Sequence, residues 1–198
     1  GAGVDVTAPS GSMVVDIGAG VTDIGVLSTG GIVVSDRLRI GGTSMDEAIQ
    51  AHARDAHGLV LGRRSAEKVK IELGAQGWTG QEASAVVHGR NLADGLPRAE
   101  TLGAQEVSSA LECPVNQIIE SARCVFGCTP PELAADIAAG GIVLTGGGSR
   151  LVGLSGFMSE RIGVTFRVAL DPETCVVRGI GQLLQGMDPR VTCAWKGA

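Results

Sequence analysis

Two glycine-rich stretches of this sequence have the residue types and spacing that hold anions. The first comprises residues 16–23, DIGAGVTD, and joins two hydrophobic segments with a carboxylate at each end. Small residues let a polyphosphate approach the chain, and the N–H groups of such a turn can converge on one anion. Asp16 offers a hard oxygen ligand that suits magnesium, directly or through water. Alone, the stretch is equally consistent with a plain β-hairpin.

The second stretch, residues 145–149, reads TGGGS and stands between an apolar run and a helical pattern. Its glycines permit close backbone approach, and the N-terminus of the following helix favours a negative ligand. The simpler interpretation is a strand-to-helix connector. Two such loops in one chain favour a phosphate-binding site over two unrelated turns.

A third group consists of Glu67 and Lys70, which lie within a helical pattern at residues 64–73. Their spacing puts both side chains on one face of the predicted helix. Without further context, the pair is predicted to be a solvated surface ion pair.

The elements that must position these groups alternate between β and helical patterns. Segments 13–17, 23–27 and 31–35 are short, β-rich and separated by glycines, which predicts a three-strand meander. Segments 85–88 and 97–102 predict a hairpin, and residues 141–145 and 164–168 predict two further strands. Helices are predicted to begin at Thr43-Ser44 with a capping box to Asp46 and Glu47, at Arg64, at Pro114, at Thr129 with Pro130 and Glu132, after Ser149, and at Asp171 with Pro172.

The order of these patterns predicts an α/β protein in which both ends of the chain build one sheet. We expect a sheet-bearing subdomain from residues 12–43 and 139–187, with a smaller, largely helical subdomain inserted at 44–138. Residues 1–11 are predicted to be a linker and residues 188–198 a C-terminal tail.

Composition excludes several classes of protein. A chain of 198 residues with 44% hydrophobic residues can bury a sizeable core, about 70% of the surface that the unfolded chain exposes. No apolar run approaches the roughly 20 residues that span a bilayer, and no signal peptide pattern is present, so we expect a cytosolic protein. A net charge of -5 without a basic stripe argues against nucleic acid binding.

The cysteines and histidines do not predict a metal site. Five cysteines lack the paired spacing of zinc ribbons, and buried free thiols are the better interpretation. His52 and His57 are five positions apart, which predicts that they lie off one helical face.

Five stretches occur together in an order that resembles the MreB family of bacterial actin-like proteins. They are residues 13–23, 41–49, 65–74, 129–137 and 142–148. The glycine loops are shared with actin, Hsp70 and sugar kinases, but the stretch TPPELAADI at 129–137 and the short helical insertion are similar to MreB specifically. The resemblance implies an actin-like (ribonuclease H-like) ATPase domain, with a mixed sheet, flanking helices and a small α+β inserted subdomain. It covers the second half of such a protein.

The resemblance also implies a binding site for ATP and magnesium. Residues 16–23 would be the second phosphate loop, the glycines of 146–148 would lie by the adenosine and ribose, and the residues of the predicted helix would contact ribose or adenine. The residues implied are Asp16, Gly18, Ala19, Gly20, Val21, Thr22, Glu67, Lys70, Gly146, Gly147 and Gly148, with magnesium at Asp16 through water.

Proteins of this family polymerise with ATP on the inner face of the plasma membrane and organise wall synthesis and rod shape. The resemblance therefore implies self-association into filaments, an adaptor such as RodZ, and a cytoplasmic location at that membrane. The family's first phosphate loop, its water-positioning carboxylate and its membrane-inserting element belong to the first half. We therefore expect no catalytic residue here, no ATPase activity of this chain alone, and only indirect membrane contact.

Two positions depart from the family pattern, which usually has glycine where Ala19 stands and threonine where Val21 stands. The methyl group at Ala19 is expected to restrict positive φ, and Val21 lacks a hydroxyl that could bind a phosphate. These departures support one alternative, a degenerate, nucleotide-independent interaction module. An Hsp70-like chaperone domain and a small-molecule kinase are weaker alternatives, because neither a substrate-binding domain nor a sugar-binding cluster is recognisable.

Overall fold

A computed structural model describes residues 1–74 and 76–186 of the chain. The C-terminal tail predicted at 188–198 lies outside the described residues. The strands within them are β1 (Ser12–Ile17), β2 (Thr22–Ser28), β3 (Gly31–Leu38), β4 (Leu59–Val60), β5 (Ser84–Asn91), β6 (Pro97–Gly103), β7 (Ile142–Thr145) and β8 (Phe166–Val168). The helices are α1 (Gly42–His57), α2 (Arg63–Leu73), α3 (Ala104–Gly127), α4 (Pro131–Gly140), α5 (Leu154–Ile162) and α6 (Cys175–Gly186).

The larger sheet is mixed and takes strands from both ends of the chain, in the order β3-β2-β1-β7-β8. The first three strands form the predicted antiparallel meander, and β7 and β8 continue the sheet in parallel. Residues on β1 and β2 alternate between buried and partly exposed, the period expected of strands with one buried face. This topology places the ends of β1 and β7, and the glycine loops that follow them, side by side.

A smaller antiparallel sheet, β4-β5-β6, lies in the middle of the chain and contains the predicted hairpin. Helices α1 and α2 pack on each other and α2 packs on β5. The long helix α3 contacts α1 and β6 on one side and β2 and β3 on the other, so it connects the two sheets. Among the described residues, no helix combines the length and apolar character needed to cross a membrane.

The helix start predicted at Pro114 is wrong, because α3 already begins at Ala104 and continues through the proline. Pro114 removes one backbone donor from the helix and crowds the preceding turn. Its neighbours Leu111, Val115 and Ile118 are fully buried on one face of the same helix. Burial of this apolar face therefore outweighs the local cost of the proline.

Three predicted side-chain caps are also wrong. Helix α1 is capped by Gly41 without a side-chain hydrogen bond, so neither Thr43 nor Ser44 caps it. Thr129 donates its hydroxyl to the carbonyl of Val125 at 2.8 Å, closing α3 rather than opening α4. Asp171 adopts a left-handed conformation before a short 3-10 turn that leads into α6. None of the three helix starts has a hydrogen bond from a capping side chain.

Candidate functional site

A cleft of about 530 Å³ brings together the three predicted groups. Its walls include Gly18 and Ala19 after β1, Glu67 and Lys70 on α2, and Gly147 and Gly148 after β7. Asp16, Gly20, Val21, Thr22 and Gly146 are close in sequence but do not line the cleft. Another cavity, of about 620 Å³, lies near residues 80–84 and 103–105 and contains no predicted site residue.

The loop between β1 and β2 rests on the start of α1. The carbonyl of Gly18 accepts from the N–H of Gly42 at 3.0 Å, and the carbonyl of Ala19 accepts from Thr43 N–H at 2.7 Å. None of the described residues accepts a backbone hydrogen bond from the N–H of Ala19 or Gly20. The loop therefore turns its carbonyls to α1 and keeps donors available, as an anion-binding turn requires.

Close contact between this loop and α1 depends on Gly41. A β-carbon at Gly41 would stand 2.6 Å from the carbonyl oxygen of Gly18 and 2.8 Å from that of Ala19. We expect Gly41→Ala to lower the free energy of unfolding by about 1–3 kcal/mol through overpacking, as measured by urea denaturation. Gly62→Ala is the matched control, because Gly62 caps α2 with open space around it. Equal losses in the two variants would contradict the packed loop.

The expected conflict between the Ala19 methyl group and a positive φ does not arise. Thr29 and Asp171 are the non-glycine residues with positive φ among the described residues, so Ala19 adopts an ordinary backbone conformation. Its methyl group does line the cleft. Val21 is 39% exposed and lies outside the cleft wall. The side chain of Ala19 thus affects the site through its volume alone.

Asp16 and Thr22 make internal hydrogen bonds. Asp16 accepts from the hydroxyl of Thr145 at 3.0 Å across the β1–β7 pair, and its carboxylate is partly exposed. The hydroxyl of the fully buried Thr22 donates to the carbonyl of Ile40 at 2.8 Å. A single, partly exposed carboxylate fits a magnesium ion that keeps most of its water shell. The hydroxyl of Thr22 instead holds β2 to the segment before α1.

The glycines after β7 are packed at two positions and open at one. Gly146 has a φ of 78° and donates its N–H to the carbonyl of Pro172 at 2.9 Å. A β-carbon at Gly148 would come within 2.3 Å of the Ile17 side chain. Gly147 is exposed, and a β-carbon there would meet nothing closer than 3.8 Å. Gly146 and Gly148 therefore seat the loop on β1, and Gly147 faces the cleft.

Charged residues that the sequence interpretation missed complete the cleft. Lys70 does not pair with Glu67; its Nζ lies 2.7 Å from Asp46 Oδ1 and donates to the carbonyl of Gly42 at 3.0 Å. Asp46 Oδ1 makes no well-aligned hydrogen bond with the described residues, so its contact with Lys70 is mainly ionic. Arg63 donates to the hydroxyl of Thr43 at 2.8 Å.

The opposite rim of the cleft carries a further ion pair, between Arg150 and Glu173 at 3.1 Å. With two ion pairs formed, Arg63 and Glu67 are the remaining charged groups in the cleft wall. The spacing of Arg63, Glu67 and Lys70 along one face of α2 is a signal from which Arg63 could have been predicted. Asp46 had no such signal, because its partner is distant in sequence.

A separate polar cluster brings His52 and His57 together, although their spacing predicts that they lie off one helical face. Their rings are in edge contact with centroids 6.1 Å apart, and both Nε2 atoms contact Oε1 of Glu106. His57 is the last residue of α1, and Glu106 lies in the first turn of α3. Glu106 of α3 contacts both imidazoles, and the spacing of the histidines on α1 did not predict this shared contact.

The meander continued by parallel strands, with flanking helices and an inserted smaller sheet, is the arrangement of an actin-like protein. Solved structures confirm this class. MreB5 of Spiroplasma citri bound to AMPPNP superposes with a TM-score of 0.91 at 28% identity, over 97% of this chain and 58% of that one. Its ADP complex gives 0.89 at 29% identity, over 93% and 56%. The MamK double helical filament gives 0.73 at 28% identity, over 89% and 55%.

The chain belongs to the MreB/Mbl family. The family model, described as MreB/Mbl protein, matches residues 1–191. The cell shape-determining protein MreB of Escherichia coli K12 is 44% identical over 189 residues, which are 95% of this chain and 54% of that protein. The cell shape-determining protein Mbl of Bacillus subtilis is 40% identical over 188 residues, 95% and 56%. The chain thus spans about half the length of these relatives.

Proposed function

We propose that this chain is the nucleotide-binding half of an ATP-dependent, filament-forming bacterial actin homologue that organises cell-wall synthesis and rod shape. The observation that carries the proposal is the cleft in which the loop after β1, helix α2 and the loop after β7 meet. These segments are far apart in sequence, and the resemblance to the MreB family implies that each of them contacts a nucleotide. The nucleotide-bound MreB5 structures support the same assignment.

Each wall of the cleft has a distinct role in this proposal. The free N–H groups of the β1–β2 loop bind the phosphates, and Asp16, which lies outside the cleft wall, holds magnesium through water. Gly147 leaves room for the ribose, while Glu67 and Lys70 contact the ribose or adenine. Arg63 adds a positive charge beside the loop. We further propose that residues 12–43 and 139–187 form the sheet-bearing subdomain and residues 44–138 the smaller one.

Reversing the charge of Arg63 tests the proposal directly. In calorimetric titration with ATP and magnesium, we expect Arg63→Glu to weaken binding about tenfold or more, since a hydrogen bond to a charged group is worth about 1.5–3 kcal/mol. Arg64→Glu is the control, because Arg64 is next to Arg63 in sequence, is exposed and does not line the cleft. Equal effects in both variants would mean that the cleft is not the binding site.

The second candidate, a nucleotide-independent interaction module, is favoured by one feature of the cleft. Its positive groups are largely neutralised internally, since Lys70 and Arg150 are both ion-paired. Titration of the double variant Ala19→Gly with Val21→Thr separates the candidates. Binding by the native chain supports the proposed nucleotide site. Binding by the double variant alone would identify this chain as a degenerate member.

We propose that ATP hydrolysis requires the rest of the protein, because a cleft closed on one side only neither excludes water nor positions the attacking water. A phosphate-release assay of the 198-residue chain should show no turnover above a blank without protein. Turnover approaching that of a full-length relative would contradict this.

Self-association, a cytoplasmic location at the inner membrane face and contact with an adaptor such as RodZ are proposed for the whole protein. The filament described for MamK, together with the family membership, supports self-association. Membrane contact is assigned to the part of the protein outside this chain. Co-sedimentation of the chain with anionic liposomes would overturn that assignment, whereas a chain left in the supernatant agrees with it.

A further inference from the structure

We propose that His52, His57 and Glu106 form a binding site for one zinc ion that joins the end of α1 to the start of α3. The three residues lie outside the cleft and have no part in the proposed nucleotide chemistry. Two imidazoles and one carboxylate are a donor set that zinc accepts, usually with water in the fourth position. Magnesium and calcium prefer oxygen ligands throughout, so the two nitrogens select against them.

The geometry is close to that of a metal site. One ligand atom from each residue can be chosen so that all three lie within 4.8 Å of one another. His52 Nε2 is 2.7 Å from Glu106 Oε1, and His57 Nε2 contacts the same oxygen. An ion placed between the two Nε2 atoms and Oε1, with zinc bonds of about 2.0–2.2 Å, would move these three atoms slightly apart.

Glu106 is held in place by the backbone at the start of α3. Its Oε2 accepts from the N–H of Gly103 at 3.3 Å, which caps α3 and leaves Oε1 directed at the imidazoles. Burial alone would raise the pKa of Glu106, but hydrogen bonds from His57, His52 and Gly103 outweigh it and lower the pKa.

The three side chains are partly buried but still accessible to solvent. The side chains of His52, His57 and Glu106 are 30%, 22% and 26% exposed, which leaves an entry path and room for a water ligand. The residues come from two helices that pack on each other. A bound ion would therefore crosslink α1 to α3, and it would stabilise the folded state according to its affinity.

Cobalt is the first probe, because tetrahedral cobalt(II) absorbs visibly where the octahedral ion hardly does. We expect the tag-free chain to take up one equivalent of Co²⁺ with tetrahedral absorption, and Zn²⁺ to displace it. Zn²⁺ at a hundred times its Kd should raise the thermal midpoint by about 5 °C or more. His52→Gln, His57→Gln and Glu106→Gln should each lose the absorption and the thermal shift.

His88→Gln is the matched control, because His88 is exposed on β5, outside the cluster. Circular dichroism without metal checks that each variant is folded, and Glu106→Gln retains an oxygen that can cap α3. Absence of uptake by the native chain would overturn the proposal. So would a weak octahedral spectrum, or uptake that the control reduces as much as the cluster variants do.

Discussion

Gly146→Ala is expected to lower the free energy of unfolding by about 2–6 kcal/mol, the sum of about 1–3 for overpacking and about 1–3 for a non-glycine residue at positive φ with extended ψ. A β-carbon at Gly146 would stand 2.4 Å from the carbonyl oxygen of Ile17 and 2.5 Å from Asp16 Oδ1, at a φ of 78°. The Asp16 side chain could rotate away, but the Ile17 carbonyl is backbone and has no other rotamer to adopt. Thermal denaturation should show a midpoint roughly 10 °C lower.

Gly147→Ala is the control for this experiment, because its β-carbon would enter open space. We expect its stability to stay within about 0.5 kcal/mol of the native chain. Since Gly147 lines the cleft, the same variant also reports on nucleotide affinity without a folding defect. A native-like midpoint for Gly146→Ala would show that the loop after β7 is not seated against β1.

Lys70→Met is expected to destabilise the protein by about 3–5 kcal/mol, because it leaves a buried carboxylate without its partner. Asp46 is 3% exposed and its side chain is held within a wall of the cleft. Asp46→Asn should be milder, since the side chain of Lys70 is 12% exposed and its ammonium can reach water. Urea denaturation of the two single variants and the double variant gives the coupling between them.

The double variant Asp46→Asn with Lys70→Met should lose less than the two single variants summed, by about 0.5–3 kcal/mol. Lys68→Met is the matched control on the same helix, because Lys68 is exposed, and we expect a change within about 0.5 kcal/mol. If Lys70→Met behaves like Lys68→Met, the original interpretation of Lys70 as a solvated surface residue is correct and the buried pair is not.

Strands and loops were predictable because their signals are local. Short β-rich runs bounded by glycine predict the meander, the hairpin and strands β7 and β8, and the structure confirms them. The short strand β4 was missed, since two residues carry no pattern. Helix starts were less predictable, as Pro114 shows: a residue suited to a first turn stands in mid-helix because its neighbours are buried.

The two glycine loops and the segment with Glu67 and Lys70 were also found from local patterns. The tertiary structure decided which of their residues line the cleft. Ala19, Glu67 and Gly147 reach the cleft, whereas Thr22 holds β2 to the segment before α1. The local sequence around a hydroxyl in a glycine loop does not predict whether that hydroxyl binds a ligand or a backbone carbonyl. The Thr22 hydroxyl faces away from the cleft because its acceptor is the carbonyl of Ile40, which the fold brings close to it.

The sequence by itself determined the class of fold and the positions of the glycine loops, because periodicity and turn residues act within a few positions of the chain. Only the tertiary structure decided the partners of charged and titratable side chains. Lys70 meets Asp46, and Glu106 gathers His52 and His57, over separations that no local pattern encodes. Electrostatic and hydrogen-bond partners are chosen by distance in space, and that distance exists only once the helices have packed.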